Sequence, residues 1–152
     1  MPRFSPDRLD RAAYAEPGVD MLVMYGDLDT LGHVNNVTLQ RYFEQVRYTV
    51  HRDAGVIDAM QRRGWRFVVA RYSVDFIDET FFGSPLHARV RLGRIGNTSF
   101  IEEQAAWQDG RCVAISEVVF ACQNAEGKGA PVPPDVLEML RGALGTAAIT
   151  GA

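Results

Sequence analysis

The clearest hydrophobic pattern in the chain is helical and is centred near residue 43. Apolar residues recur there at spacings of i, i+3, i+4, i+7 and i+11, which places them on one face of a helix. They are Leu39, Tyr42, Phe43, Val46 and Val50. Asn35 or Asn36 can serve as the N-cap, because a short amide side chain accepts hydrogen bonds from the unpaired N–H groups of the first turn. The pattern predicts an amphipathic helix that ends near Gly55, followed by a short second helix.

After Gly64 the period changes from 3.6 to two, which is typical of half-buried strands. Four segments follow this pattern: WRFVVARYSVDFID, PLHARVRL, SFIEEQAAW and RCVAISEVVFACQN. Gly96-Asn97 and Asp109-Gly110 supply tight turns between them. A further short strand, VDMLVMY, precedes the helix, and DVLEMLRGAL predicts a terminal helix that begins at Pro133 or Pro134. We therefore expect an α+β domain in which an antiparallel sheet covers the apolar face of the helix.

The pattern divides the chain into three parts. Residues 1–17 are polar and interrupted by prolines, and we expect them to form an irregular N-terminal arm. Residues 18–133 form the folded domain, and residues 134–152 form a C-terminal helix and a frayed tail.

Composition narrows the class of protein. The 152 residues are 47% hydrophobic and carry a formal charge of −3. An apolar fraction near one half favours a folded domain over disorder. The chain lacks the basic field of a nucleic-acid-binding protein, so we expect no nucleic-acid partner.

Two observations concern the compartment. No apolar run is long enough for a signal peptide or a bilayer span, so we expect a cytoplasmic protein without a membrane partner. Cys112 and Cys122 fall in one predicted strand. Their separation of about 33 Å far exceeds the roughly 6 Å between the Cα atoms of a disulfide. We expect free thiols, which suit a reducing compartment.

Candidate chemistry is concentrated where the first strand leads into the helix, in the segment DLDTLGHVNN at residues 27–36. A helix N-terminus offers unpaired N–H groups and partial positive charge, which can polarise a carbonyl and stabilise an oxyanion. A carboxylate a few residues upstream can act as base or nucleophile. The same residue types are also ordinary in caps and turns, and from the residues alone that explanation is the more common one.

The segment DLDTLGHVNNVTLQRYFEQVR resembles the signature of the 4-hydroxybenzoyl-CoA thioesterase-like branch of the hot-dog superfamily. That signature reads approximately D-x-D-x-x-G-H-V-N-N, followed by a helix with an aromatic–Glu pair, here Phe43-Glu44, and a later arginine, here Arg47. The segment VDFIDETFFGSPLHARVRLGRIGNTSF also resembles the later strands of that family. The likeness covers about residues 19–133.

The resemblance implies a long central helix wrapped by a curved five-stranded antiparallel sheet. It implies an acyl-CoA thioesterase that releases a free acid and coenzyme A and that needs no cofactor. It also implies homodimers joined edge to edge, often paired again into homotetramers, with the substrate at the subunit interface.

The resemblance also suggests catalytic roles. Asp29 matches the carboxylate that attacks the thioester or activates water, and the backbone N–H of Asn36 matches the group that receives the thioester oxygen. Asp27 matches a less essential acid, which orients the loop or remains solvated, with simple capping as the alternative. Gly32 fits a turn that requires positive φ or close approach of the substrate.

The histidines give a weaker signal. His33 either bonds to Asp29, the substrate or a partner subunit, or is a structural loop residue, which we favour. We expect His51 at a helix end and His87 on the surface of a strand. The three are too scattered for a metal site, so we expect none.

Several residues are candidates for substrate binding. Three arginines on the third strand and its exit, Arg89, Arg91 and Arg94, could meet the phosphates of coenzyme A, as could Lys128, although alternating arginines are more typical of a solvated strand face. Thr98 and Ser99 resemble a segment that approaches the pantetheine arm, or they cap the hairpin turn. Tyr42 and Phe43 line the acyl pocket or belong to the core.

Glu44 requires a separate interpretation, because another hot-dog lineage carries its catalytic carboxylate on the central helix. It lies eight residues past Asn36, about 12 Å along the helix axis, too far to share the same carbonyl. We expect a structural or interface residue, with Arg47 as its partner at i+3.

Two alternatives to hydrolysis remain open at this stage. Hot-dog proteins also hydrate or dehydrate enoyl thioesters, usually with a histidine and an acid. A non-catalytic module that binds acyl thioesters is the third hypothesis.

Overall fold

The computed structural model of the protein describes residues 4–16 and 18–145. The predicted frayed tail therefore lies outside the described residues, apart from its first glycine.

The chain forms one five-stranded antiparallel sheet with the strand order β1-β3-β4-β5-β2. Its strands are β1 (Val19–Met21), β2 (Arg66–Phe76), β3 (Leu86–Ile95), β4 (Ser99–Gln108) and β5 (Arg111–Gln123). The four long strands and both hairpin turns occur where the pattern predicts them. The first strand is shorter than predicted, because a 3₁₀ turn at Tyr25–Asp27 follows instead. The α+β hot-dog architecture is confirmed.

The central helix α2 (Asn36–Asp53) packs its apolar stripe against the sheet. Asn35 is its N-cap, and its Oδ1 accepts a hydrogen bond from Val37 N at 2.8 Å. The predicted apolar face buries Leu39, Phe43 and Val46. Two further helices, α3 (Val56–Arg62) and α4 (Pro134–Leu144), add to the same layer.

A buried polar network crosses the helix–sheet layer. Arg47 Nη1 donates to Gln104 Oε1 at 2.9 Å, and Gln104 Nε2 donates to the Phe43 carbonyl at 2.8 Å. Ser116 Oγ also donates to Gln104 Oε1, at 3.0 Å. Arg47 thus bonds across to β4, while Glu44 is exposed. The buried Arg47 is therefore hydrogen-bonded to Gln104 and not, as expected, paired with Glu44.

The N-terminal arm packs on the opposite face of the sheet. Gln104 faces α2, so its strand neighbours Glu103 and Ala105 point the other way. There a short helix α1 (Pro6–Leu9) and a 3₁₀ turn at Arg11–Ala13 cover β3, β4 and β5. Trp107 Nε1 donates to the Leu9 carbonyl at 3.0 Å. A second, smaller core forms beneath the arm from Tyr14, Ala105, Trp107 and Ile115.

The arm also buries two arginines that the sequence placed on a solvated face, and that expectation is wrong. The Arg91 side chain is only 3% exposed; its Nη2 lies 2.8 Å from Asp7 Oδ2 and its Nε donates to Glu103 Oε2 at 2.6 Å. Arg89 Nη2 lies 3.3 Å from Glu16 Oε1. Both guanidinium groups are occupied by carboxylates, because the arm supplies the counter-charges.

Two further predictions concern the state of the cysteines and membrane-spanning helices. Cys112 and Cys122 are free thiols, as predicted. Within the described ranges, no helix is both long and apolar enough to cross a bilayer.

Candidate active site

Asp29 organises a tight turn ahead of α2. Its Oδ1 accepts hydrogen bonds from Leu31 N at 2.9 Å and from His33 N at 3.4 Å. Its backbone N–H donates to the His33 carbonyl at 2.8 Å. Gly32 completes the turn with φ +79°, a left-handed conformation that a glycine adopts without strain. The loop therefore fixes the position of the Asp29 carboxylate.

Asp27 holds the same loop against the helix. Its Oδ2 accepts from Met24 N at 3.1 Å and from the Tyr42 hydroxyl, and its carbonyl accepts from Asn35 N at 2.8 Å. Burial, together with the Asp27 carboxylate, raises the pKa of Tyr42 to about 12. The bond from Met24 N caps the 3₁₀ turn at Tyr25–Asp27, the alternative expected for Asp27, and the other contacts match the orientation of the loop.

The start of α2 supplies the electrophilic end of the site. Asn36 is the first residue of the helix, so its backbone N–H is among the groups that intrahelical bonding leaves free. The macrodipole adds partial positive charge at this point. Asn36 is exposed, so a carbonyl from a substrate has access to it. The arrangement places a fixed carboxylate and a polarising helix end on one continuous segment.

The His33 side chain points to a different partner from Asp29. Its Nε2 lies 3.4 Å from Glu79 Oε2, and its ring packs edge-on against Phe81 with centroids 5.1 Å apart. His33 therefore contacts the Asp29 carboxylate through its backbone N–H and not through its imidazole ring. Among residues 4–16 and 18–145, no group of three or more potential ligands is arranged to hold a metal ion.

An exposed apolar surface surrounds this loop, and sequence reasoning missed most of it. Phe81 and Phe82 are 40% and 56% exposed, and Phe82 packs against Tyr25 with ring centroids 5.8 Å apart. Other exposed apolar residues within the loop or close to it in sequence are Leu22, Met24, Leu31 and Val37. The aromatic pair within the polar loop DETFFGSP was the available signal, because exposed apolar clusters mark interaction or ligand surfaces.

Beside the loop, a groove of about 360 Å³ follows the exposed side of α2. Asp27, Tyr42, Glu44 and Tyr48 contribute to its walls. Tyr42 thus lines a groove, while Phe43 is fully buried in the core.

The other predicted substrate-binding residues lie at the far end of the sheet. Val34 N donates to the Thr80 carbonyl, and Phe81 N donates to Gln108 Oε1, so the loop sits beside the end of β4. The nine residue steps from Ser99 to Gln108 span about 30 Å. A small cavity of about 170 Å³ near the start of β4 is lined in part by Arg94 and Ser99. One chain therefore does not bring Arg94, Thr98 or Ser99 next to Asp29.

Comparison with known proteins agrees with this fold. The sequence profile of the thioesterase-like superfamily matches residues 23–140. A predicted thioesterase from Bacillus stearothermophilus is 28% identical, with a TM-score of 0.73 over 82% of this chain and 93% of that one. A thioesterase from Thermus thermophilus, solved with coenzyme A and zinc, is 29% identical, with a TM-score of 0.72 over 82% of this chain and 91% of that one.

A more distant structure, a probable thioesterase of Escherichia coli, shares the fold at 20% identity. Its TM-score is 0.75 over 82% of this chain and 96% of that one. No curated protein matches this chain in sequence.

Proposed function

Because this chain belongs to the thioesterase-like superfamily and is a thioester hydrolase of the hot-dog fold, we propose that it hydrolyses an acyl-coenzyme A thioester with Asp29 as the catalytic carboxylate. The observation that carries this proposal is the fixed Asp29 carboxylate, held by two backbone N–H groups seven residues before the first residue of α2. The similar Thermus enzyme was solved with coenzyme A, which supports coenzyme A as the thiol.

The hydrogen bonds suggest separate roles for the Asp29 carboxylate and the Asn36 N–H. Both loop N–H groups donate to Oδ1 of Asp29, which leaves Oδ2 to act on the substrate. Either Oδ2 removes a proton from water as the water attacks the thioester carbon, or Oδ2 attacks that carbon itself. The oxyanion forms at the Asn36 N–H in both routes.

Both routes end in the same products. In the first, the tetrahedral intermediate expels the thiolate of coenzyme A, which takes up the proton that Asp29 removed. In the second, the thiolate leaves from an acyl-aspartyl anhydride, which water then hydrolyses to the free acid and the carboxylate.

A second copy of the chain completes the site in this proposal. β2 is an edge strand, and Val69 and Phe76 on it are 48% and 45% exposed, which an isolated edge would leave prone to aggregation. We expect a homodimer in which two β2 strands pair antiparallel about a two-fold axis. This pairing turns the far end of the partner's sheet, with its copies of Arg94, Thr98 and Ser99, towards Asp29.

The arm restricts how such dimers can pair again. It covers β3, β4 and β5 on the face away from α2, so a homotetramer would form through the helical faces. The free thiols, of which Cys122 is buried, favour a reducing compartment, and we propose the cytoplasm.

The test is thiol release from a panel of acyl-CoA substrates that vary in length and aromaticity. Asp29→Asn is expected to lower kcat by about 100-fold to 10,000-fold, with unchanged circular dichroism and oligomer mass. Asp58→Asn, which removes an exposed carboxylate on α3, is the matched control and should keep nearly full activity. Retention of most of the kcat in Asp29→Asn would overturn the assignment, as would loss of an enoyl double bond without thiol release.

A further inference from the structure

A buried histidine–carboxylate pair lies at the opposite end of α2 from the Asp29 loop. His51 occupies the last turn of the helix, as predicted, but its side chain is only 9% exposed. Its Nε2 is hydrogen-bonded to the carboxylate of Glu102, which is completely buried on β4. The second oxygen of that carboxylate, Oε2, has no hydrogen-bond partner in the described part of the chain.

His51 opens onto a cavity of about 250 Å³ between α2, α3 and the ends of β2 and β5. The walls of the cavity are mainly apolar and aromatic, from Val56, Ile57, Met60, Trp65, Phe67 and Phe120. The rings of Phe67 and Phe120 also contact the His51 ring. Gln61 and Arg66, both exposed, complete the lining. The cavity thus has an apolar body, one buried polar group and two exposed polar residues, the combination expected of a small-molecule site.

The cavity is separate from the catalytic loop within one chain. His51 follows Asn36 by fifteen residues, which is about 22 Å along the helix. The proposed chemistry at Asp29 makes no use of His51 or Glu102.

A purely structural role explains the pair poorly. Burying a charge pair costs desolvation energy that well-packed apolar residues avoid, and an unpaired buried carboxylate oxygen adds a further cost. A ligand that bonds to His51 would offset part of the desolvation cost of the ring, while Glu102 does not line the cavity.

The hydrogen-bonding capacity of the His51 imidazole indicates the kind of ligand. Because Nε2 is bonded to Glu102, Nδ1 is the nitrogen left to meet a ligand. A hydroxyl group both donates and accepts, so it matches Nδ1 in either protonation state. We propose that this cavity binds a small apolar group that carries one hydroxyl, with the hydroxyl bonded to His51.

The test compares phenol with toluene by calorimetric titration of the full chain, because toluene carries a methyl group of similar size in place of the hydroxyl. Phenol is expected to bind about 5-fold more tightly, as one net hydrogen bond predicts. Equal affinities, or no binding of either probe, would overturn the proposal.

Two variants locate the effect. The double variant His51→Leu/Glu102→Leu removes both partners together and should lose the preference for phenol while still binding toluene. Ile57→Trp fills the cavity from α3 and should abolish binding of both probes. It keeps the proposal testable even if the double variant does not fold, and undiminished binding by Ile57→Trp would contradict the assignment.

The hydroxyl-bearing group has two possible sources, a free molecule or the end of an acyl chain that reaches the cavity from a partner's site. If it is the acyl chain, phenol should raise KM for acyl-CoA without changing kcat, whereas a free ligand leaves KM unaltered. Only this kinetic measurement rests on the proposed function. Phenol binding without any thiol release would therefore refute the proposed function and leave the cavity site intact.

Discussion

The Tyr42 hydroxyl donates a hydrogen bond to the carboxylate of Asp27, fifteen residues earlier in the chain. The bond joins the second turn of α2 to the loop that holds Asp29. Because Asp27 also receives the N–H of Met24 and, through its carbonyl, that of Asn35, this one residue connects three parts of the site. The position of the proposed catalytic carboxylate thus depends on a tyrosine outside its own loop.

Replacing that tyrosine tests the connection. Tyr42→Phe removes one hydrogen bond, and we expect a loss of about 1 kcal/mol in unfolding free energy. We also expect kcat/KM for acyl-CoA to fall, because the loop loses its anchor on α2. Tyr48→Phe, an exposed tyrosine on the same helix, is the matched control. An equal effect of both substitutions on kcat/KM would show that the bond to Asp27 has no special role.

Gly32 tests the backbone geometry of the same loop. Its φ of +79° is costly for a residue with a Cβ, while an added Cβ would meet no atom within 4 Å. Gly32→Ala should therefore lower the unfolding free energy by about 1–2 kcal/mol through backbone strain alone, and reduce activity by shifting Asp29. Gly26 also has open space around its Cα but no positive φ, so Gly26→Ala should change the unfolding free energy and the activity only slightly. Chemical denaturation and thiol release measure the two effects, and equal stability losses in the two variants would contradict the strain argument.

Arg91 tests the attachment of the arm. Arg91→Met leaves Asp7 without its counter-charge and takes from the half-buried Glu103 the nearer of its two, since Arg8 Nη1 remains 3.6 Å from Glu103 Oε1. It also removes the guanidinium that lies 4.6 Å from the centre of the Tyr14 ring. We expect a loss of about 3–5 kcal/mol in unfolding free energy. Trypsin should also cleave more rapidly within the arm, at Arg8 and Arg11.

Arg94→Met, three positions further along the chain and exposed, is the control for that experiment. It should stay within about 0.5 kcal/mol of the unmodified protein. If the arm resists trypsin equally well in Arg91→Met and in the unmodified protein, the apolar contacts of the arm are sufficient to hold it on the sheet.

Alkaline pH provides a test of burial at two tyrosines. Burial raises the pKa of Tyr14 to about 12, and burial with the Asp27 carboxylate raises that of Tyr42 to the same range. An unfolded tyrosine loses its proton near pH 10, while these two keep theirs in the folded state until about pH 12. The folded state therefore binds more protons in this window, and the unfolding free energy should fall as pH rises from 10 to 12.

Urea unfolding at several pH values measures this slope. Tyr14→Phe, which removes one of the two groups, should make the decline shallower. Between pH 8 and 9 both states are protonated at these tyrosines, so they should contribute no slope there. A constant stability up to pH 12 would contradict the burial of both hydroxyls.

Local patterns predicted the elements because their causes are local. The apolar spacing of α2, the Asn35 cap and the turn at Asp109-Gly110 each depend on a few neighbouring residues, and each occurs as predicted. The motif likewise indicated the turn at Asp29, because the hydrogen bonds of Asp29 form with Leu31, Gly32 and His33.

Contacts between distant segments were not predictable in the same way. Alternation on β3 shows that Arg89 and Arg91 share a face, but not that the arm covers it. Arg91 meets Asp7 across 84 residues of sequence, and no local period encodes that distance. His51 was placed correctly at a helix end, yet its burial depends on Glu102 from another strand.

The arm also has a consequence for how the chain is made. The Leu9 carbonyl accepts its hydrogen bond from Trp107, 98 residues later. At a synthesis rate of about 5–20 residues per second, the Leu9 segment waits on the order of 5–20 s for the strand that receives it. During that interval the Leu9 and Tyr14 side chains lack the strands that cover them in the folded chain, so chaperones and proteases can bind this segment until the sheet is complete.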